Sequence, residues 1–442
     1  MIFTGSDDDP ETLTTLTNLG FHEPSTIAEI IRNWHRGRYR ATRTERARQI
    51  LTELVPRILL AFAPSPDPDG AFHRFDSFLA KLPAGIQLFS MFKANSPLLE
   101  LMAEVMGSAP RIANHLSRRP SLMDFILDPE FYGALPTADE MLEELNVSLK
   151  QAKNYEEVLN LSRVWASDRM LQIGIQALRH LTNWEKLSRA ISDVATTVIA
   201  TLGVAVEKEF IRRHGVIPGG RWMVLAMGKL GGREMTPVSD LDLIIIYDND
   251  VEAELSDGEI PLTPSQYYSR LTQRLINSLT VQTAEGKLFS VDMRLRPSGT
   301  AGPIASHINA FTEYHEKSSW TWEHMALLRS RAICGPDDLI KTVTDVVRKA
   351  LICPRNPNQL RKDVAQMRTR IDNKHHTASI WEIKHHRGGL VDIEFIVQYL
   401  QILHAHNNPE ILTANTKTAL TNLIKYGFIN ATDGGKLRNT LA

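Results

Sequence analysis

The sequence predicts a predominantly helical α+β protein built around one central mixed sheet. Three observations carry that expectation. Between residues 13 and 211 apolar residues recur mostly at helical spacing, as in Ile50, Leu51, Leu54, Val55 and Ile58, with few β-branched alternations. At HGVIPGG (214–220) the texture changes to short β-rich runs, MVLAM at 223–227 and LDLIIIYD at 241–248, separated by a glycine-rich turn. After Gly335 helical periodicity returns.

The elements follow in chain order. Proline and acidic residues in PSPDPDG (64–70) and LPTAD (135–139) predict loops within the first helical half. Two long amphipathic stretches, 155–180 and 183–214, predict helices that end at the breaker. The run 241–247 suits a buried strand, a helix is expected from Thr263, and Glu285-Gly286 predicts a turn before a further strand within KLFSVDMRLRP (287–297). CPRNPN (353–358) predicts a break before the last helical block. The expected organisation is an N-terminal helical region (1–150), a core with its preceding long helices (151–340) and a C-terminal helical domain (341–442).

Composition narrows the function classes. Lys plus Arg (50) against Asp plus Glu (51) leaves a net charge of -1, so no global positive field draws the chain to nucleic acid or an acidic membrane. The seven arginines between Arg32 and Arg48 read as a solvated or partner-facing helix. Two cysteines, Cys334 and Cys353, make neither a disulfide framework nor a four-thiolate zinc site, and imply a reducing compartment, the cytoplasm by default. MIFTGSDDDPETL lacks a positive leader and an apolar segment, and no stretch approaches about 18 uninterrupted apolar residues. The expectation is a soluble, unexported protein.

The chemistry concentrates in GKLGGREMTPVSDLDLIIIYD (228–248). Asp240 and Asp242 stand at i and i+2 at the start of a predicted strand, so a period of two points both carboxylates to one face. Like charges there repel unless a cation or partner neutralises them, and Mg²⁺ prefers one or two carboxylates plus phosphate oxygens and water. A solvated strand edge is the alternative for D-x-D alone. Gly228, Gly231 and Gly232 allow a tight turn that presents amides to an anion, with Lys229 at hand for a phosphate, although neither the P-loop nor the G-x-G-x-x-G pattern is present. In SVDMRLRP, Asp292, Arg294 and Arg296 alternate with Val291, Met293 and Leu295 on a predicted strand. If that strand lies beside the Asp240 strand, Asp292 becomes a third carboxylate and the arginines can hold phosphate oxygens. Three carboxylates, divalent ions and a glycine turn suit in-line attack on a phosphoryl group.

Trp320 and Trp322, at i and i+2 on an expected helix, point apart, so core packing is expected for at least one. The pairs His375-His376 and His385-His386 lack a ligand spacing and read as structural, as does the run Arg387, Gly388, Gly389, Asp392 and Glu394.

With those residues in place, GKLGG followed by SDLDL and VDMRLRPSG resembles the bacterial glutamine synthetase adenylyltransferases, of the polymerase-beta-like nucleotidyltransferase superfamily. The stretches 311–335 and 385–401 resemble the same family, and HRGRYRATRTERARQ (35–49) resembles the opening of its second half. The family enzyme is duplicated: one half attaches AMP to a tyrosine of glutamine synthetase and the other removes it. WTWEHMALLRSR (320–331) looks like the attaching half. The resemblance implies Asp240, Asp242 and Asp292 as catalytic metal ligands, Gly228 and its following turn, with Ser239, at the nucleotide, and ATP and Mg²⁺ as substrate and cofactor. It implies glutamine synthetase, and the nitrogen regulatory protein P-II, as partners. Against the family, the C-terminal helical domain is expected to be incomplete. Two rival readings stay open, phosphorolytic removal of AMP and a non-catalytic scaffold half.

Overall fold

The computed structural model describes residues 8–119, 122–126, 128–375 and 381–441; Met1–Asp7 of the N-terminal stretch and His376 lie outside them. The fold is helical with one small mixed sheet. Chain contacts divide it into two compact units.

The first unit holds the residues up to Leu135 together with Ser167–Asn183. Its helices are α1 (Pro10–Asn18), α2 (Pro24–His35), α3 (Glu45–Phe62), α4 (Pro68–Lys81), α5 (Ile86–Ala94), α6 (Ser96–Ser108), α7 (Pro110–Arg118) and α8 (Leu122–Ile126). Apolar stripes on these helices converge on an aromatic core in which Trp34 stacks on Phe72 at 5.2 Å and Phe62 meets Phe75. The expected loop 64–70 ends early, because Asp67 accepts the Gly70 amide at 2.9 Å and Pro68 sits at the first helical position, where its missing N–H costs nothing. Arg36, Arg38, Arg40, Arg43 and Arg46 are exposed.

The second unit holds Pro136–Ala166 and the chain from Trp184 onward. It begins with α9 (Ala138–Leu149), whose start is fixed by a reciprocal pair: the Glu140 amide donates to Thr137 Oγ1, and Glu140 Oε2 accepts the Thr137 amide. The next helix, α10 (Tyr155–Leu178), gives its first half to this unit and its second to the other. Arg163 in the first half is buried and donates to the carbonyls of Leu159, Ser278, Val281 and Gly286. Gln176 in the second half donates to Phe131 and Gly133. One helix thus contributes to both units, and the C-terminal helices cluster with the sheet.

The helix α11 (Trp184–His214) is the one described helix long and apolar enough to cross a membrane, and most of it is buried inside its unit. It packs against the sheet formed by β1 (Arg221–Ala226), β2 (Leu241–Asp248), β3 (Val291–Asp292), β4 (Ala305–His307) and β5 (Arg331–Cys334). The order is β3-β2-β1-β5, with β4 also on β2. β1 runs antiparallel to β2 and β5, whereas β3 and β4 run parallel to β2. Between β1 and β2 lies the single helical turn α12 (Gly228–Gly231), and α13 (Pro264–Thr280) precedes β3.

Helices α14 (Ile308–Lys317), α15 (Thr321–Leu327), α16 (Asp337–Ile352), α17 (Pro357–Lys374) and α18 (Leu390–His404) follow, then α19 (Thr416–Lys425) and α20 (Ala431–Thr440). Met223, Leu225, Ile244 and Ile246 of the sheet share a core with Phe311, Leu328, Val343 and Ile402. The expected break at 353–358 is there, with Asn356 accepting the amides of Asn358 and Gln359 at the start of α17.

Two expectations are corrected. The strand at Asp292 stops there: the carboxylate accepts the Arg294 amide at 2.8 Å, turning the chain so that Arg294 and Arg296 lie in a loop. Trp320 and Trp322 both leave the core, 71% and 37% exposed; the first precedes α15 and Glu323 accepts its amide. The apolar face of α15 is supplied by Met325 and Leu327 instead.

Buried His315 and His324 have their pKa values pushed down to about 4, foremost by burial. Both bind protons more readily in the unfolded chain, so stability is full above about 6.5 and falls as pH drops toward 4. Urea titrations between pH 6.5 and 5 should show a slope that His315→Met reduces by up to about 1.4 kcal/mol per pH unit; an unchanged slope would remove His315 from the account.

Candidate active site

The site forms where β1 turns into α12 beside the start of β2. The Met227 amide donates to the Asp242 carbonyl at 2.9 Å, so the glycine turn begins hydrogen-bonded to the strand that carries the acidic pair. Gly228 has φ +55°, and a Cβ there would lie 2.4 Å from Asp242 Oδ2. Only glycine satisfies both limits. The amides of Gly231 and Gly232 donate to the carbonyls of Met227 and Gly228, so they serve the helical turn rather than face an anion. What requires glycine at these two positions is close approach: a Cβ on Gly231 would lie 1.9 Å from the Arg329 carbonyl, and one on Gly232 2.9 Å from that of Ala414. Lys229 is half-buried, and burial pulls its ammonium pKa down. Among the described residues its ammonium has no hydrogen-bond or ion-pair partner.

The parallel register of β2 and β3 sets Asp242 directly opposite Asp292. Burial first, and then the charge of Asp292, push the Asp242 carboxyl up to about 6, against the opposing pull of Arg329. Asp292 goes the other way, held low by the hydrogen bond from Arg294, whose Nε lies 2.8 Å from Oδ2. Asp240 precedes β2 and is exposed, close enough for its charge to add to the strain on Asp242. Ser239 Oγ accepts the Thr236 amide at 3.0 Å and pairs with its hydroxyl at 2.9 Å, which shapes the loop entering the strand.

Not every sequence-derived residue converges. Arg296 donates to the carbonyls of Met293, Gly302 and Pro303, and so holds its own loop. Among the described residues no three His, Cys, Asp or Glu side chains gather closely enough to hold a metal. At Asp292 both oxygens are turned to Arg294.

Residues that the sequence did not single out hold the turn from below. Arg329 is buried and bridges Glu234 and Glu394, the latter at 2.8 Å. Arg331 donates to the Leu230 carbonyl at 3.1 Å and to Thr196 Oγ1 at 3.0 Å. The available signal was weak: two arginines at the end of an apolar run, MALLRSR, where helix passes into strand.

Known proteins resemble this chain in sequence. The family model for glutamate-ammonia ligase adenylyltransferase matches residues 99–345, and that for GlnD PII-uridylyltransferase matches residues 358–442. A bifunctional glutamine synthetase adenylyltransferase/adenylyl-removing enzyme of Mesorhizobium japonicum is 48% identical over 398 residues, 90% of this chain and 40% of that protein. The protein of the same description from Rhizobium meliloti is 45% identical over 434 residues, 98% of this chain and 44% of its own length. That from Brucella suis is 47% identical over 399 residues, covering 90% and 41%. The chain thus spans about two fifths of the length of these relatives.

Gly228→Ala should displace Asp242 and strain the turn, costing about 1–2 kcal/mol for the left-handed backbone alone. Gly435→Ala in α20, where a Cβ meets nothing within 4 Å, should be neutral or stabilising by up to about 1 kcal/mol. Thermal melts of the two variants check the contrast, which equal melting temperatures would refute.

Proposed function

The chain belongs to the glutamate-ammonia ligase adenylyltransferase family, and we propose that it transfers AMP from ATP to a tyrosine of glutamine synthetase in an Mg²⁺-dependent reaction on a polymerase-beta-like core. One observation carries the reading: Asp242 and Asp292 oppose each other across paired strands, beside a glycine that leaves room at the carboxylate and a half-buried lysine that makes no ion pair among the described residues.

The donor set fits a hard divalent cation. Asp242 is strained as a carboxylate by burial and by Asp292, and a divalent cation held there would relieve that strain. Asp240 and Asp242 would hold it, joined by Asp292 once its oxygens turn from Arg294. Once bound, Mg²⁺ supplies neutralisation of phosphate charge and polarisation of the phosphoryl group. The remaining work falls to the chain. Gly228 lets the nucleotide approach the backbone, Lys229 offers its ammonium to phosphate oxygens, and Arg294 offers a second positive group at the edge. The tyrosine oxygen, its proton passing to solvent, bonds to the α-phosphorus as the bond from that phosphorus to pyrophosphate breaks in line.

The segment 320–331 favours attachment of AMP over its removal, and P-II is proposed as a regulatory partner. The two thiols, Cys334 and Cys353, are free, which fits the reducing cytoplasm.

Asp242→Asn should abolish label transfer from α-labelled ATP to glutamine synthetase while leaving the melting temperature equal or higher, since it removes a strained charge. Retained transfer at saturating Mg²⁺ would reject the assignment, and release of labelled ADP from adenylylated glutamine synthetase and phosphate would reverse the direction.

A further inference from the structure

The glycine turn is tied to the helices that follow the sheet through a buried ionic bridge. Arg329, at the end of α15, donates through Nη1 to Glu394 of α18 at 2.8 Å and through Nη2 to Glu234, just after the turn. Glu234 is itself committed twice more: Oε1 accepts the Thr416 amide at 2.5 Å and Oε2 accepts Thr416 Oγ1 at 3.1 Å, at the first residue of α19. A second tie runs parallel, from Asn415 Nδ2 to the Gly232 carbonyl at 3.1 Å. The contact is close enough that a Cβ on Gly232 would meet Arg329 Nη2 at 3.1 Å as well as the Ala414 carbonyl. A buried guanidinium is tolerated only because two carboxylates compensate it, so its partners cannot move independently.

We infer that Arg329 is a positioning residue: together with Glu234 and Glu394 it fixes the conformation of the glycine turn to the placement of α18 and α19. A shift of those helices would then be felt first at residues 228–234. The contacts from β5 and α11 reach the turn by other groups: Arg331 holds the Leu230 carbonyl, Ser192 Oγ accepts the Met235 amide and Asp193 lies 3.7 Å from Arg233 Nε. Among the described residues Glu394 is the acceptor that holds Arg329 toward α18. The consequence for nucleotide affinity rests on the proposed function, whereas the mechanical coupling does not.

Hydrogen exchange of the whole chain tests the coupling without nucleotide. Glu394→Gln keeps the side-chain shape and leaves Arg329 paired with Glu234, so the fold should survive. Amides of residues 228–234 should then exchange about tenfold faster, the expected loss of one charge-assisted bond, with the centre of β2 unchanged. Asn415→Ala should act on the same amides. Unchanged exchange at 228–234 in both variants would overturn the inference, and so would equal acceleration in β2, which would make the bridge a general stability element. Calorimetry with Mg²⁺ and ATP separates this from the function. A wild-type chain that binds ATP should lose about tenfold in affinity on Glu394→Gln at a melting temperature within a few degrees, and unchanged affinity would count against the positioning role. A wild-type chain that binds no ATP refutes the nucleotidyl-transfer reading, and exchange at the turn still decides the bridge.

Discussion

Everything around the site depends on one unfavourable contact, the pairing of Asp242 against Asp292 across two parallel strands. Carboxylates at facing positions repel, and burial raises the cost of charging Asp242 further. The fold accepts this because β2 is locked on both edges, by β1 along its length and by β3 and β4 opposite, and because Leu241, Leu243, Ile244, Ile245 and Ile246 are buried. The hydrophobic strand anchors the charges, which would otherwise move apart. Arg294 partly compensates Asp292 from the loop, so the residual strain collects on Asp242.

The second constraint is space. Gly228 faces Asp242, Gly231 faces the Arg329 carbonyl, and Gly232 faces Ala414 and the Arg329 guanidinium. Three glycines that resemble an anion-binding loop in sequence are used in the fold mainly to bring three backbones and a carboxylate together. One of them opens room at the acidic residue. The other two let the bridge through Arg329 pass beneath the turn, linking a part of the chain near residue 230 to parts near 394 and 416.

Much of this was legible beforehand. The strand 241–248 and the helices flanking it follow from hydrophobic spacing, which reports burial locally, whereas the pairing of the Asp292 strand with it does not. Errors arose where a local side-chain bond overrode that spacing. Asp292 accepts the Arg294 amide and ends its strand two residues after it begins, although the alternation 291–296 reads as strand throughout. Trp320 is large and apolar but sits before α15, held by its backbone to Glu323, and points outward. Pro68 reads as a loop residue and begins a helix because Asp67 caps it.

The sequence by itself determined the residue types at the site and their order, because periodicity and glycine placement are local properties of the chain. Only tertiary structure decided which groups meet. Arg296 turns to its own loop, Asp292 turns to Arg294, and Arg329 joins Glu234 to Glu394. Those partners lie up to about a hundred residues apart, and the energy of a buried charge depends on the groups that surround it in space, which spacing along the chain does not encode.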